Sequence, residues 1–255
     1  MDFLNDKPKA LFQYLLEKYS AMHDIDIDRA NFFVNKNELH ETLSKIWYDS
    51  LENNADNIYE VYNHDYYFVD VFHCFAQYSR PCIRKVLKSP TFDLLKDSKV
   101  IVDVGCGLGF SSALLKQIFP KSKVYATNLK GTKQWAFCEE ISKDFDLNLI
   151  ESVGTIEDPI DVVFASEYFE HIINPVDDVH RMIFRLDQPP PKWLIISNSF
   201  NTYGTGHFKS YRVGSKLVDQ SHMSRLFNKY LRNCGYTQVP SKIFNNTPTI
   251  WRLGE

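Results

Sequence analysis

The chain lacks the features that mark several large classes of protein. It has no CxxC pair, and its five cysteines, 74, 82, 106, 138 and 234, are an odd number. A disulfide framework or a structural zinc site is therefore not expected, and reduced thiols are the default. Apolar runs such as Trp193–Ile196 fall far short of the ~20 residues that cross a bilayer, so no membrane partner is expected. The opening MDFLNDKPKALF carries Asp2 and Asp6 and no apolar signal core, so a cytoplasmic location is expected. Internal repeats and low-complexity tracts are absent. A strong charge of either sign is also lacking, since the formal net charge over 255 residues is −3. That excludes the basic balance of a nonspecific nucleic-acid binder.

What is present is ordinary globular material, with 44% hydrophobic, 24% charged and 15% aromatic residues. The charge is uneven. Residues 1–96 carry a net −4, residues 97–200 a net −5 and residues 201–255 a net +6. The basic final segment is either a solvated face or an attraction for an anionic acceptor or partner.

Residues 1–96 read as helical. Pro8 is placed in a first helical turn, followed by Leu11, Phe12, Leu15, Leu16 and Tyr19 at helix spacing. A second helix is expected at 36–52 and a third at 56–78, where Tyr59, Tyr62, Tyr66, Val69, Phe72 and Phe75 form an aromatic stripe read as core. A short helix near 80–88 leads to a boundary at Ser89-Pro90. After it, strands at 100–104, 124–127, 147–152, 161–165 and 193–197 alternate with helices at 111–119, 132–145 and 176–187. That alternation predicts an α/β fold with a mostly parallel sheet. A helix at 219–233 precedes a closing hairpin of 237–244 and 249–253 around Asn245-Asn246-Thr247-Pro248.

The chemistry-bearing stretch is Val100-Ile-Val-Asp103-Val-Gly105-Cys106-Gly107-Leu-Gly109-Phe110, a buried strand running into a glycine turn that opens a helix. Glycines here allow close backbone approach to a ligand and turn conformations closed to other residues. The spacing differs from the Gly-x-Gly-x-x-Gly of nicotinamide-binding turns, since residue 110 is Phe.

Asp103-Val-Gly-Cys-Gly-Leu-Gly109 resembles motif I of the class I S-adenosylmethionine-dependent methyltransferases. The resemblance runs over residues 97–255. It implies a Rossmann-like seven-stranded, mostly parallel sheet with an antiparallel last strand, carrying an N-terminal helical subdomain at 1–96 that shapes the acceptor pocket. It implies S-adenosylmethionine as cofactor, bound by Asp103, Gly105, Cys106, Gly107 and Gly109. The family's ribose-binding acid is replaced by Asn128, whose amide can donate to and accept from a hydroxyl. Ser166-Glu167-Tyr-Phe-Glu170-His171 is similar to the loop that faces the sulfonium in the type 11/23 branch, placing Glu167 near the methionine part of the cofactor. His171 is a candidate base, the alternative being that the Glu-His pair orients the loop.

After the fifth strand, residues 198–212 gather Gly204, Gly206, His207, Lys209, Tyr211 and Arg212 in one loop. His207 is read as the base, Tyr211 as a positioning hydroxyl, Lys209 or Arg212 as an anion clamp, and the glycines as hinges of a lid. Asp/Asn-Pro-Pro-Tyr/Phe and Pro-Cys are both missing after the fourth strand, which disfavours the usual DNA base methylations. No cluster shows metal-ligand spacing, so no metal is expected. The expected activity is methyl transfer to an oxygen or nitrogen of a small molecule. The alternatives are nucleic-acid or nucleotide tailoring and a non-catalytic partner subunit; oligomeric state is not legible.

Overall fold

The structure is a computed structural model that describes residues 3–23, 36–53, 57–64, 67–239 and 248–254. Its centre is a seven-stranded sheet of order β3-β2-β1-β4-β5-β9-β8. The strands are β1 (Val100–Val104), β2 (Lys123–Thr127), β3 (Asn148–Ile150), β4 (Val162–Ser166), β5 (Trp193–Ser197), β8 (Tyr236–Val239) and β9 (Thr249–Leu253). The first five are parallel, and β9 runs antiparallel between β5 and β8. β6 (Ser210–Val213) and β7 (Lys216–Asp219) form a separate two-stranded ribbon.

β1 is buried along its whole length, because a central parallel strand is covered on both faces. Its period-two alternation sorts the core. Val100, Val102 and Val104 join Val163, Ala165, Leu194, Ile196 and Trp251 on one face. Ile101 joins Val162, Phe164, Trp193, Ile195 and Ile250 on the other.

The first face is covered by α2 (Lys36–Glu52), α8 (Pro175–Ile183) and α9 (Gln220–Asn233), through Leu43, Trp47, Val179, Met182, Phe227 and Leu231. The second is covered by α1 (Phe3–His23), α4 (Arg80–Lys88), α6 (Phe110–Ile118) and α7 (Lys133–Phe145), through Leu15, Ile83, Phe110, Leu114, Phe137 and Ile141. A short α5 (Phe92–Leu95) leads into β1. None of the five cysteines is in a disulfide.

Several expectations need correction. Helix α1 starts at Phe3, so Pro8 lies in its second turn. The third helix is broken into a 3-10 segment, Ile58–Asn63, and α3 (Tyr67–Cys74). Asn57 caps the first by accepting from the Tyr59 N–H, and the extended backbone of His64 ends it. Tyr66 lies outside the described residues, as do 240–247 of the expected closing hairpin. Within the stripe Tyr62 and Phe75 are buried. Helix α3 runs through a π turn, Phe75–Ser79, straight into α4. The expected loop at 198–212 ends in β6, whose ribbon with β7 was not anticipated. Lys216–Asp219 is mostly exposed and shows no apolar alternation to betray it.

Candidate active site

The carboxyl ends of β1, β4 and β5 open on a cavity of about 400 Å³. Gly105, Cys106 and Gly107 line it together with Phe110 and Ser111 of α6, Ser166 and Glu167 at the end of β4, and Ser199, Thr202, Tyr203 and His207 after β5. His40, Tyr67, Val71, Cys74, Phe75, Tyr78 and Ser79 line it from the N-terminal helices. Sequence reading expected these helices to shape the pocket but singled out none of these residues for it. The π turn is the local irregularity that brings Phe75, Tyr78 and Ser79 onto the wall, and a hydropathy pattern does not show it. Ser79 Oγ donates to Ser166 Oγ at 3.1 Å, tying this segment to the end of β4.

The glycine turn is held by its own surroundings. Gly105, Gly107 and Gly109 all have positive φ, at 66°, 58° and 80°. A Cβ at Gly105 would fall on the Tyr168 ring, and one at Gly107 would sit 2.9 Å from Val71 Cγ1. The glycines therefore answer close packing as well as turn conformation. The Gly105 N–H donates to Thr127 Oγ1 at 2.9 Å and the Cys106 N–H to the Thr127 carbonyl at 3.0 Å. Cys138 Sγ lies 3.1 Å from the Gly107 carbonyl and 3.8 Å from Cys106 Sγ. Cys106 lines the cavity.

Asp103 and Asn128 do not line it. Asp103 is buried and its Oδ2 accepts from Ser111 Oγ at 2.6 Å and Ser112 Oγ at 2.5 Å, anchoring the first turn of α6. Burial pushes its carboxyl up to about 6 against the pull of those two hydroxyls. Asn128 Nδ2 donates to the Gly107 carbonyl at 2.6 Å and its Oδ1 accepts from the Leu129 N–H at 2.8 Å. The expected ribose contact is thus committed to the glycine turn.

The polar groups on the other side come from two loops. Glu167, in the left-handed region at φ 53°, donates its backbone N–H to the Ser197 carbonyl at 2.8 Å. Its carboxyl lies beside that of Glu170. Burial, and then the neighbouring Glu170, raise the Glu167 pKa far above the usual carboxylate range; burial also raises that of Glu170. Glu170 Oε1 accepts from the Ser199 N–H at 2.8 Å. Burial first, then His207, push the His171 pKa well below that of free imidazole, so this ring is neutral near pH 7. The His171 and His207 rings meet edge to face with centroids 4.8 Å apart. His207 Nδ1 lies 3.2 Å from the Thr202 carbonyl. That oxygen only accepts, so Nδ1 carries the proton and Nε2 is the basic nitrogen.

The other members of the 198–212 segment fall elsewhere. Tyr211 is fully buried, its OH donates to the Glu170 carbonyl at 3.1 Å, and burial raises its pKa; it supports the Glu170 loop and does not reach the cavity. Lys209 is exposed over the Tyr48 ring, 3.8 Å from Glu52 Oε1, and Arg212 is exposed, so neither clamps an anion in the cavity. The segment is not a free lid. Trp47 Nε1 donates to the His207 carbonyl at 2.9 Å, Ser44 Oγ meets Thr205 Oγ1 at 3.3 Å, and residues 204–208 are buried. Gly206 has φ 83°, and a Cβ there would strike His171 Nδ1. Glu170, His171 and His207 converge in space, with one ligand atom of each within 4.8 Å of the others.

Among solved structures the chain is similar to the mitomycin 7-O-methyltransferase, at 14% identity and TM-score 0.52, over 84% of this chain and 67% of that one. It is similar also to an O-methyltransferase family protein from Burkholderia thailandensis, at 13% identity and TM-score 0.54, over 85% and 71%. This is the Rossmann-like methyltransferase fold. No protein-family model matches the chain. No curated protein matches it either. In the methyltransferase fold the glycine turn after β1 and the loops after β4 and β5 share one end of the sheet, as parallel strands require. Among the described residues, no helix is long and apolar enough to cross a membrane.

Proposed function

We propose that the chain is an S-adenosylmethionine-dependent methyltransferase acting on an oxygen or nitrogen of a small molecule. The observation that carries this reading is one cavity that joins the glycine turn to the Glu167, His171 and His207 wall within a methyltransferase fold. Its volume lies in the range of small-molecule sites. Phe75, Phe110 and Val71 offer apolar surface, and the Glu167 carboxyl offers an acceptor for a cationic or N–H group. The residues present therefore fit the cofactor. When bound it supplies an already activated methyl group, so the protein's task is alignment.

In this reading residues 97–255 hold the cofactor and residues 1–96 cover it, with His40, Tyr67 and Tyr78 on the acceptor side. The cavity is lined by one carboxyl, Glu167, by the imidazoles of His40, His171 and His207, and by cysteine and tyrosine side chains, while the exposed Lys209 and Arg212 stand outside it. A neutral hydroxyl or amine acceptor suits that composition better than an anion.

Calorimetric titration with S-adenosylmethionine and its demethylated product tests the proposal. Saturable binding is expected, and Gly107→Val should abolish it while near-UV circular dichroism stays native, because a branched side chain at φ 58° crowds Val71 and shifts the turn. No saturable binding by the parent sinks the reading. It would favour the second one, a partner subunit with the methyltransferase fold, which the internal use of Asn128 supports.

A further inference from the structure

Glu170, His171 and His207 each offer a ligand atom, and these atoms all lie within 4.8 Å of one another. We propose that this cluster binds one divalent first-row transition cation, with Glu167 beside it, and that the cation holds a hydroxyl oxygen of the acceptor. The binding claim stands on its own geometry; the acceptor claim rests on the methyl-transfer reading.

Three observations carry it. The first is charge. Two carboxyls lie side by side in a buried setting, and among the described residues no salt bridge reaches Glu167 or Glu170. A divalent cation binding there displaces the proton that such a buried pair otherwise shares. The second is orientation. His207 Nδ1 donates to the Thr202 carbonyl, which turns Nε2 into the coordinating nitrogen, the pattern in which a second hydrogen bond fixes a metal-bound imidazole. Glu170 is steadied likewise by the Ser199 N–H, and Tyr62 OH lies 3.4 Å from His171 Nδ1. The third is position. Glu167, His171 and His207 line the same cavity as the glycine turn.

Two bonds of ~2.1 Å at tetrahedral angles set ligand atoms about 3.4 Å apart. The cation must therefore draw the most widely spaced ligand atoms, now within 4.8 Å of one another, together by about an ångström or more, through rotation of the histidine and glutamate side chains. Two imidazoles with carboxylate suit manganese, iron, cobalt or zinc better than magnesium, which keeps oxygen ligands and water.

The consequence for chemistry is specific. A cation lowers the pKa of a bound hydroxyl. The hydroxyl proton passes to cavity water and the oxygen lone pair forms the new C–O bond. The bond from sulfur to methyl breaks with its electron pair, leaving a neutral thioether. His207 is then a ligand rather than a base, and acceptors with a second oxygen in chelating position are preferred to amines.

The test uses the chelator-stripped 255-residue chain. Mn²⁺ is titrated by paramagnetic resonance of the free ion, Zn²⁺ by calorimetry, and Co²⁺ is followed by its visible absorption. One-to-one binding is expected for at least one ion, weakened about 100-fold or more in Glu170→Gln and His207→Gln. Glu170→Gln keeps an oxygen to accept from Ser199, so its melting temperature should stay near that of the parent; if it does not, His207→Gln alone decides. Failure of all three ions to bind, or unweakened binding by the folded variant, overturns the inference. Titration with the demethylated cofactor separates the two readings. Cofactor bound without any cation sinks the metal site alone, and cation bound without cofactor sinks methyl transfer alone.

Discussion

On the glycine side of the cavity, Asp103 is closed by Ser111 and Ser112, Thr127 by the Gly105 and Cys106 N–H groups, and Asn128 by Gly107 and Leu129. These polar side chains hold protein to protein and leave backbone to line the cavity. On the side built by the loops after β4 and β5, Glu167, His171 and His207 bring ionisable side chains to the cavity itself. Both sides are buried and both are polar. They differ in what reaches the cavity: the second side brings the carboxyl of Glu167 and the imidazoles of His171 and His207 to it. The contrast assigns rigidity to the glycine turn and reactivity to the Glu-His wall.

Breaking the rigid side should produce the largest effect. Gly105→Ala places a Cβ on the Tyr168 ring at φ 66°. Left-handed strain together with overpacking is expected to destabilise the fold by about 2–5 kcal/mol. Urea denaturation measures it. A loss below ~1 kcal/mol would mean that Tyr168 moves aside cheaply and that the turn is softer than its packing indicates.

A smaller effect, readable only through pH, comes from Asp103. Its folded pKa of about 6 lies above the 3.8 of a free aspartate side chain. Folding therefore favours the protonated form: the stability is fully present below pH ~4 and is lost as pH rises through about 6. Asp103→Asn retains a carbonyl to accept from both serines and removes the titration. Relative to the parent it should gain on the order of 2–3 kcal/mol between pH 4 and pH 8. A variant whose stability difference from the parent is constant across that range would show Asp103 to be charged in the fold.

The same contrast explains what the sequence could and could not disclose. Val100–Val102 and Trp193–Ile196 are uninterrupted apolar runs, so their place in a parallel sheet was legible from hydropathy alone. The glycine turn was legible because its φ values demand glycine within a contiguous motif. The direction of a side chain was not. Asp103, Asn128 and Tyr211 are the residue types that bind ligands, and each closes on a backbone or hydroxyl partner that only the tertiary arrangement brings near. The Glu170, His171 and His207 cluster was hidden for the complementary reason: its last member lies on another strand's loop, and sequence spacing carries no distance between loops.

Asn128 gives the sharpest separation between a contact inside the protein and a contact to ligand. If its amide faced a ribose, Asn128→Asp would supply a charge-assisted acceptor and tighten cofactor binding. In the structure the amide nitrogen donates to the Gly107 carbonyl at 2.6 Å and lies 3.4 Å from Cys138 Sγ. An aspartate there has no donor, and one of its oxygens is set against the carbonyl. The expected cost is about 1–2 kcal/mol of stability, the loss of one hydrogen bond with an acceptor left facing an acceptor. Asn128→Ala should cost less, since it removes the donor without adding repulsion. Cofactor affinity should fall in the same order, Ala above Asp, because both changes loosen the Gly107 backbone that lines the cavity. The measurement is a paired one, urea midpoint and calorimetric dissociation constant for the two variants. Tighter cofactor binding by the Asp variant would move Asn128 from the scaffold to the binding surface, and with it the boundary drawn between the two sides of the cavity.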